Sequence, residues 1–154
     1  MATTDDERRE YLYRAVGEAL HLAQTLELQV EALISIVNDH FDADIDVDGL
    51  IVPDHRKTLG QLLQQLRSLG TLDMNGEQVL KDALDKRNHI THHLFNRNTY
   101  AFSVSEVFDN TKSALKADTK AIAMGVALTQ GWVMALCEGL KIDKRKLLFK
   151  QDAP

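Results

Sequence analysis

Two long stretches of the sequence repeat their apolar residues every three or four positions, and neither contains a proline. The first runs from residue 5 to about 38, and the second runs from Ser103 or Ser105 to about residue 141. Such spacing places the apolar side chains on one face of a helix, and helices this long in a small domain usually form bundles. Because the sequence has no strand signal of any length, we predict an all-α fold, an antiparallel bundle of four to five helices.

Two shorter helices are predicted between these long ones, one over residues 58 to about 69 and a central one over residues 76 to about 95. The connection 40–56 interrupts the apolar pattern with alternating aspartates, and the tail 143–154 is polar. A chain of 154 residues with 44% hydrophobic content is long enough to bury one core. We therefore predict that residues 1–154 form a single helical-bundle domain.

Local signals predict where the long helices start and where they cross a neighbour. Thr4 is suited to cap the first helix and Ser105 to cap the last, because their hydroxyls accept from free backbone N–H groups. Gly125 and Gly131 weaken the last helix, so each indicates a kink or a close helix crossing.

Composition excludes several classes of protein. The chain has 23 acidic and 18 basic residues and a formal net charge of -5, so a general nucleic-acid-coating surface is not expected. The single cysteine, Cys137, lies among apolar neighbours and is predicted to be a core thiol in a reducing compartment. The acidic N-terminus has no signal-peptide pattern, and no uninterrupted apolar run approaches about 20 residues. We expect a cytoplasmic protein without a membrane partner.

Two patterns suggest metal ligands, but both are incomplete. The segment 44–49 matches the opening of an EF-hand calcium loop, yet its twelfth position is His55 instead of the bidentate glutamate. His89 and His93 have the i, i+4 spacing of half a metal site, without an obvious third ligand nearby. We read the first as an acidic solvated connection and predict neither a metal nor a cofactor.

Arg87 lies in the middle of the apolar stripe of the central helix. On a helical wheel, five apolar residues fall within about 60° of it, namely Leu80, Ala83, Leu84, Ile90 and Leu94. A guanidinium stays charged, and burying it without a partner is costly. Two interpretations are open: Arg87 is a structural arginine paired with a carboxylate such as Glu18 or Glu27, or the stripe opens there onto a cleft or a second subunit.

Further polar residues lie round the same helix. Asn88 and His92 are four residues apart and so are neighbours on one edge, which Lys81 shares. An amide, an imidazole and a guanidinium on adjoining faces are more typical of a site than of packing. We take Arg87, Asn88 and His92 as candidate catalytic residues, and the cations Lys81 and Arg97 as candidate substrate-binding residues.

The segment from Arg87 to His92 fits the pattern Arg-Asn-x-x-x-His, which resembles the signature of the HEPN superfamily of small all-α bundles in prokaryotic defence and toxin systems. The predicted order of helices agrees, with a long first helix, a shorter one, and the motif late in the third. The resemblance implies metal-independent RNA cleavage at a homodimer interface. Arg87 would hold the scissile phosphate, His92 would act as general acid or base, and Asn88 would orient one of the reacting groups.

The resemblance has one departure and leaves one alternative. In the toxin branch of the superfamily a tyrosine stands two positions after the histidine and is modified by a partner antitoxin, whereas here that position is Leu94. The alternative is a non-catalytic interaction or regulatory module similar to the mannitol operon repressor. In such a module Arg87, Asn88 and His92 would form a structural polar network, and the partner would be another protein instead of RNA.

Overall fold

The computed structural model describes residues 4–41 and 74–143, and within these ranges it contains four helices and no strand. The all-α prediction is therefore confirmed for this part of the chain. We number the helices α1 (Asp5–Phe41), α2 (Met74–His92), α3 (Leu94–Arg97) and α4 (Ser105–Gly139). The predicted helix over residues 58–69, the aspartate pattern of segment 44–49 and the tail from residue 144 onward lie outside the described residues.

α1 and α4 run parallel to each other. Near their N-termini, Arg8 Nη2 donates to Ser105 Oγ at 3.0 Å. Further along both helices, Thr129 Oγ1 donates to Gln29 Oε1 at 2.5 Å. Contacts that advance in the same direction along both chains define a parallel pair.

α2 runs antiparallel to α1. Tyr13, early in α1, packs its ring edge-on against Phe95, just beyond the end of α2, with centroids 6.0 Å apart. Glu27, farther along α1, pairs with Arg87, earlier in α2. The three long helices therefore run up, down and up. Among the three long helices of the described residues, α2 is antiparallel to both α1 and α4, and α1 and α4 are parallel.

The core consists of two apolar clusters stacked along the bundle. The first joins the C-terminal half of α1 to the start of α2, and its buried members are Leu26, Val30, Leu33, Ile34, Val37, Leu80 and Ala83. The second joins the N-terminal half of α1 to the end of α2 and to α4, and it includes Leu12, Ala19, Ala23, Ile90, Leu94, Phe108, Leu115 and Ile122. Cys137 is 2% exposed, which confirms its prediction as a core residue.

The two predicted N-caps have different outcomes. Thr4 forms a capping box, because its Oγ1 accepts from Glu7 N at 3.3 Å while Glu7 Oε2 accepts from Thr4 N at 2.8 Å. The prediction for Ser105 is wrong, since Val104 is the N-cap of α4 and no side chain bonds there. The Ser105 hydroxyl instead accepts from Arg8, a buried arginine on α1.

The central helix differs from its prediction at both ends. It begins at Met74, two residues early, and is interrupted at His93 instead of continuing to about residue 95. Asn96 Nδ2 donates to the carbonyl of His92 at 3.0 Å, so a side-chain amide satisfies a carbonyl at this break. α1 extends through Phe41, so His40 is helical although the sequence suggested that the acidic connection starts there.

α4 is apolar enough to pass a test of length and composition for a membrane span. An 18-residue window within Ser105–Gly139 has a mean hydropathy of 1.4, and 22% of that window is buried. Residues 121–137 contain no charged side chain. This run therefore comes nearer to the length of a membrane span than we expected from the sequence. The core helix of a soluble protein passes the same test when it is mostly buried. α4 contributes to the core described above, but most of this window is not buried.

α2 and α4 pack closely at Gly125. A Cβ placed there would lie 2.9 Å from the Cβ of Ala83 and 3.4 Å from a methyl group of Leu26. The expected close crossing is therefore present at Gly125. It is absent at the other predicted position, since a Cβ on Gly131 would have nothing within 4 Å.

We expect Gly125→Ala to lower the free energy of unfolding by about 1–3 kcal/mol, because the added methyl forces α2 away from α4. The matched control is Gly131→Ala, an exposed position on the same helix, which should gain up to about 1 kcal/mol from the higher helix propensity of alanine. Urea unfolding followed by circular dichroism measures both. Equal effects at the two positions would contradict the close crossing.

Candidate functional site

Arg87 is held by a carboxylate and an amide. Its Nη2 donates to Glu27 Oε1 of α1 at 3.1 Å, and its Nη1 donates to Asn88 Oδ1 at 3.1 Å. The side chains of Arg87 and Glu27 are 30% and 31% exposed, so this ion pair is only partly withdrawn from water. Of the two carboxylates expected to pair with Arg87, Glu27 is the partner.

Arg87 combines features of both interpretations given above. It is paired as a structural arginine would be, yet almost a third of its side chain is exposed. The two hydrogen bonds use two of the five N–H donors of the guanidinium. Glu27 and Asn88 therefore orient the group without occupying all of its donor directions.

The other candidate catalytic residues are placed as follows. Asn88 is half-buried and accepts from Arg87, which is a contact between neighbours on the chain. His92 is exposed at the last position of α2, with its ring 6.3 Å from the ring of His93. The carbonyl of His92 accepts from Asn96, so the backbone at this position is tied to the start of the next turn.

The two candidate substrate-binding cations are not brought together. Lys81 is exposed on α2, eleven residues before His92, which is about 16 Å along the helix axis at 1.5 Å per residue. Arg97 is the last residue of α3, and its side chain lies outside the described part of the structure. A single nucleotide held at His92 would therefore not reach Lys81 of the same chain.

A second polar cluster, which the sequence analysis did not identify, lies where α2 meets α4. Asp118 of α4 has a side chain only 5% exposed. Its Oδ2 is 2.6 Å from His89 Nδ1, and its Oδ1 is 3.3 Å from Lys86 Nζ. The sequence did contain a signal, because Asp118 falls three residues after Leu115 and four before Ile122, in the buried stripe of α4.

The contact with Asp118 indicates which nitrogen of the His89 ring carries the proton in this hydrogen bond. A buried carboxylate is stabilised by charged or hydrogen-bonding partners, which here are Lys86 and His89. A carboxylate only accepts hydrogen bonds, so Nδ1 of His89 carries the proton in this contact. Nε2 is then the ring nitrogen that this contact does not use, and the His89 side chain is 29% exposed.

An aromatic cluster lies beside the end of α2. The rings of Phe95 and Phe102 stack with centroids 5.6 Å apart, and Tyr13 meets both edge-on. The guanidinium of Arg9 lies over Phe102 at 5.5 Å. Tyr13 of α1 is 55% exposed and contacts Phe95, three residues beyond His92, so the cluster offers an aromatic surface to solvent near the end of α2.

A groove of about 290 Å³ lies between α1 and α4, and no residue of α2 lines it. It contains three lysines at four-residue intervals on α4, Lys112, Lys116 and Lys120. Lys112 places its ammonium over the ring of Tyr11 at 4.9 Å, and Glu18 lies on the opposite wall. The groove is therefore separate from Arg87 and His92.

Within the described residues, no group of three or more His, Cys, Asp or Glu side chains is arranged to hold a metal ion. His89, one member of the i, i+4 histidine pair considered from the sequence, is directed toward Asp118. The aspartates of segment 44–49 lie outside the described part.

No protein-family model, no curated protein and no solved structure matches this chain.

We expect Asp118→Asn to lower the free energy of unfolding by about 1–3 kcal/mol, because it removes the buried charge that pairs with His89 and Lys86. Asp109→Asn is the matched control, since Asp109 is exposed on the same helix and should change stability by less than about 0.5 kcal/mol. Chemical denaturation at neutral pH measures the difference. A loss no larger than that of the control would show that the cluster does not stabilise the fold.

A double-mutant cycle of Arg87→Gln and Glu27→Gln should give a coupling energy of about 1 kcal/mol or less, because both side chains are nearly one-third exposed and screened by water. The four proteins are compared by urea unfolding at low and high salt, and the coupling should fall as salt rises. A coupling of several kcal/mol, insensitive to salt, would mark Arg87 as a buried structural residue instead.

Proposed function

We propose that this chain is a HEPN-like, metal-independent endoribonuclease of a defence or toxin type that acts in the cytoplasm as a homodimer. The observation that supports this best is the state of Arg87. The guanidinium is oriented by Glu27 and Asn88 but remains partly exposed on the helix that carries the exposed His92. A group that must bind a substrate phosphate has to be both oriented and reachable.

The proposed chemistry needs only the residue types present. RNA supplies its own nucleophile in the ribose 2′-hydroxyl, so neither a protein nucleophile nor a metal is required. Arg87 would bind a phosphate oxygen with N–H donors not used by Glu27 and Asn88 and would stabilise the charge that develops there. His92 would transfer a proton, because an imidazole readily gains and loses one near neutral pH. Tyr13 would offer an exposed ring for base stacking near the same end of α2.

The homodimer is part of the proposal because Arg87 lies within the apolar stripe of α2, which would continue into an interface between two copies. An isologous interface there would place two copies of Arg87 and His92 in one cleft. With a net charge of -5, the chain would bind RNA through few local contacts, so cleavage should weaken as salt rises.

A specific observation also favours a second candidate, a non-catalytic interaction or regulatory module similar to the mannitol operon repressor. Arg87 is already paired with Glu27 and bonded to Asn88, as a residue that ties α2 to α1 would be. The partner would then be another protein, such as an antitoxin-like regulator, and His92 would have no catalytic role.

We expect the wild-type protein to cleave a mixed RNA pool in the presence of a chelator and to leave 2′,3′-cyclic phosphate ends. His92→Ala should reduce the rate at least about 100-fold, because a proton-transfer group contributes about 10²–10⁴-fold. The matched control is His93→Ala, which removes the adjacent exposed imidazole and should leave the rate near that of the wild type. Gel analysis with end-group mapping measures the products.

Light scattering and circular dichroism on the same samples complete this experiment. A folded dimer that cleaves no RNA, with or without either substitution, would refute the nuclease and support the interaction module. Equal losses in both histidine variants would show that His92 has no special role.

A further inference from the structure

We propose that His89, held by the buried carboxylate of Asp118, is the general base of the cleavage reaction, with His92 as its general acid. This inference rests on the endoribonuclease function proposed above and assigns a residue outside the Arg-Asn-x-x-x-His pattern. RNA cleavage by the 2′-hydroxyl requires two proton transfers, one from the nucleophile and one to the leaving oxygen. The motif contributes one imidazole per chain, at His92. The proposed dimer would bring a second His92 into the cleft, but the contact of His89 with a buried carboxylate favours His89 as the base.

The contact with Asp118 prepares His89 for this role. An ionised Asp118 accepts from Nδ1 at 2.6 Å, so Nδ1 carries a proton in this contact and Nε2 is the ring nitrogen that could act as the base. Asp118 is itself anchored, because its side chain is 5% exposed and its other oxygen lies 3.3 Å from Lys86 Nζ. A base whose ring is oriented by a buried acceptor loses little rotational freedom when the substrate binds.

His89 is placed to work with His92. The two residues are three apart on α2, so their side chains start from neighbouring positions on the helix surface. The helical turn persists there, since His93 N donates to the carbonyl of His89 at 2.9 Å. The His89 ring is 29% exposed and His92 is exposed, so both are accessible to a strand lying across this end of α2.

The proton transfers balance. Nε2 of His89 takes the proton of the 2′-hydroxyl as that oxygen attacks phosphorus. The bond from phosphorus to the 5′-oxygen of the next nucleotide breaks, and protonated His92 gives its proton to that oxygen. The products are a 2′,3′-cyclic phosphate and a 5′-hydroxyl, with His89 protonated and His92 neutral. Arg87 lies about 160° from His89 round α2, so in the proposed dimer the phosphate oxygens would be bound by Arg87 of the second protomer. Arg87 transfers no proton, and solvent exchange restores both imidazoles.

The titratable and charged groups around His89 come from two helices. α4 contributes Asp118, while α2 contributes Lys86 and, one turn away on either side, Asp85 and His93. Asp118 is the group in direct contact with the ring, so it is the positioning residue whose removal should alter the base without touching the substrate.

The test compares wild type, His89→Gln, Asp118→Asn and the control His93→Gln for the rate of RNA cleavage in chelator between pH 5 and 9. Wild type should show a bell-shaped profile. His89→Gln should lose about 100-fold in kcat and lose the limb that rises with pH, while KM changes less than threefold. Asp118→Asn should lose about tenfold and retain both limbs at displaced positions, and His93→Gln should match the wild type.

A second measurement does not depend on turnover. Nitrogen-15 NMR of the histidine rings in folded wild type should show His89 as a single tautomer with the proton on Nδ1, and Asp118→Asn should convert it to a mixture. A tautomer mixture in the wild type would overturn the proposed positioning by Asp118.

The outcomes separate this inference from the function on which it rests. A wild-type rate in His89→Gln, with its rising limb intact, would overturn the role of His89 while the nuclease stands. No cleavage by folded wild type would overturn both. His89→Gln could lose cleavage activity because it folds less stably, which a lowered melting temperature would reveal. The NMR result and the pH profile of Asp118→Asn then separate the two causes, because a merely structural defect would not displace the limbs of that profile.

Discussion

The structure depends on the close contact of α2 with α4 at Gly125. Because a hydrogen occupies the place of a side chain there, the Cβ of Ala83 reaches the backbone of α4, and Leu26 of α1 closes the same contact. This approach determines how the two antiparallel helices are aligned along their length. About two turns from it, the alignment places His89 opposite Asp118. A larger residue at Gly125 would act on the polar cluster as well as on the core.

Two charged residues lie within apolar stripes, and each is paired across a helix boundary. Arg87 of α2 reaches Glu27 on α1, and Asp118 of α4 reaches His89 and Lys86 on α2. The two pairs differ in their surroundings, since Asp118 is nearly closed to water while Arg87 and Glu27 are each about one-third exposed. Removing a partner from the buried pair therefore costs more stability, whereas the exposed pair retains donors that a ligand can reach.

These two pairs frame the surface on which both proposals depend. Arg87 lies on the side of α2 that contacts α1, His89 lies on the side that contacts α4, and His92 is exposed at the end of the same helix. Phosphate binding and two proton transfers would thus be divided among three residues of α2, drawn from both protomers of the proposed dimer. Glu27 and Asn88 orient Arg87, and Asp118 orients His89. If the chain is an interaction module instead, the two pairs only hold α2 in place, and the exposed surface binds a protein.

The sequence by itself determined the helical class, the approximate extent of both long helices, the Thr4 cap, the burial of Cys137 and the choice of Glu27 as one of two partners for Arg87. The first four follow from local periodicity and capping chemistry, which act within a few turns of one helix, and the last follows from the cost of an unpaired charge. Only the tertiary structure decided that α1 and α4 are parallel, that Gly125 but not Gly131 is a close crossing, and that Ser105 binds Arg8 instead of capping α4. It also decided that His89, which the sequence paired with His93, is oriented by Asp118, 29 residues away. The physical reason is that these features depend on which faces of separate helices meet and at what alignment, and no spacing within one helix contains that information.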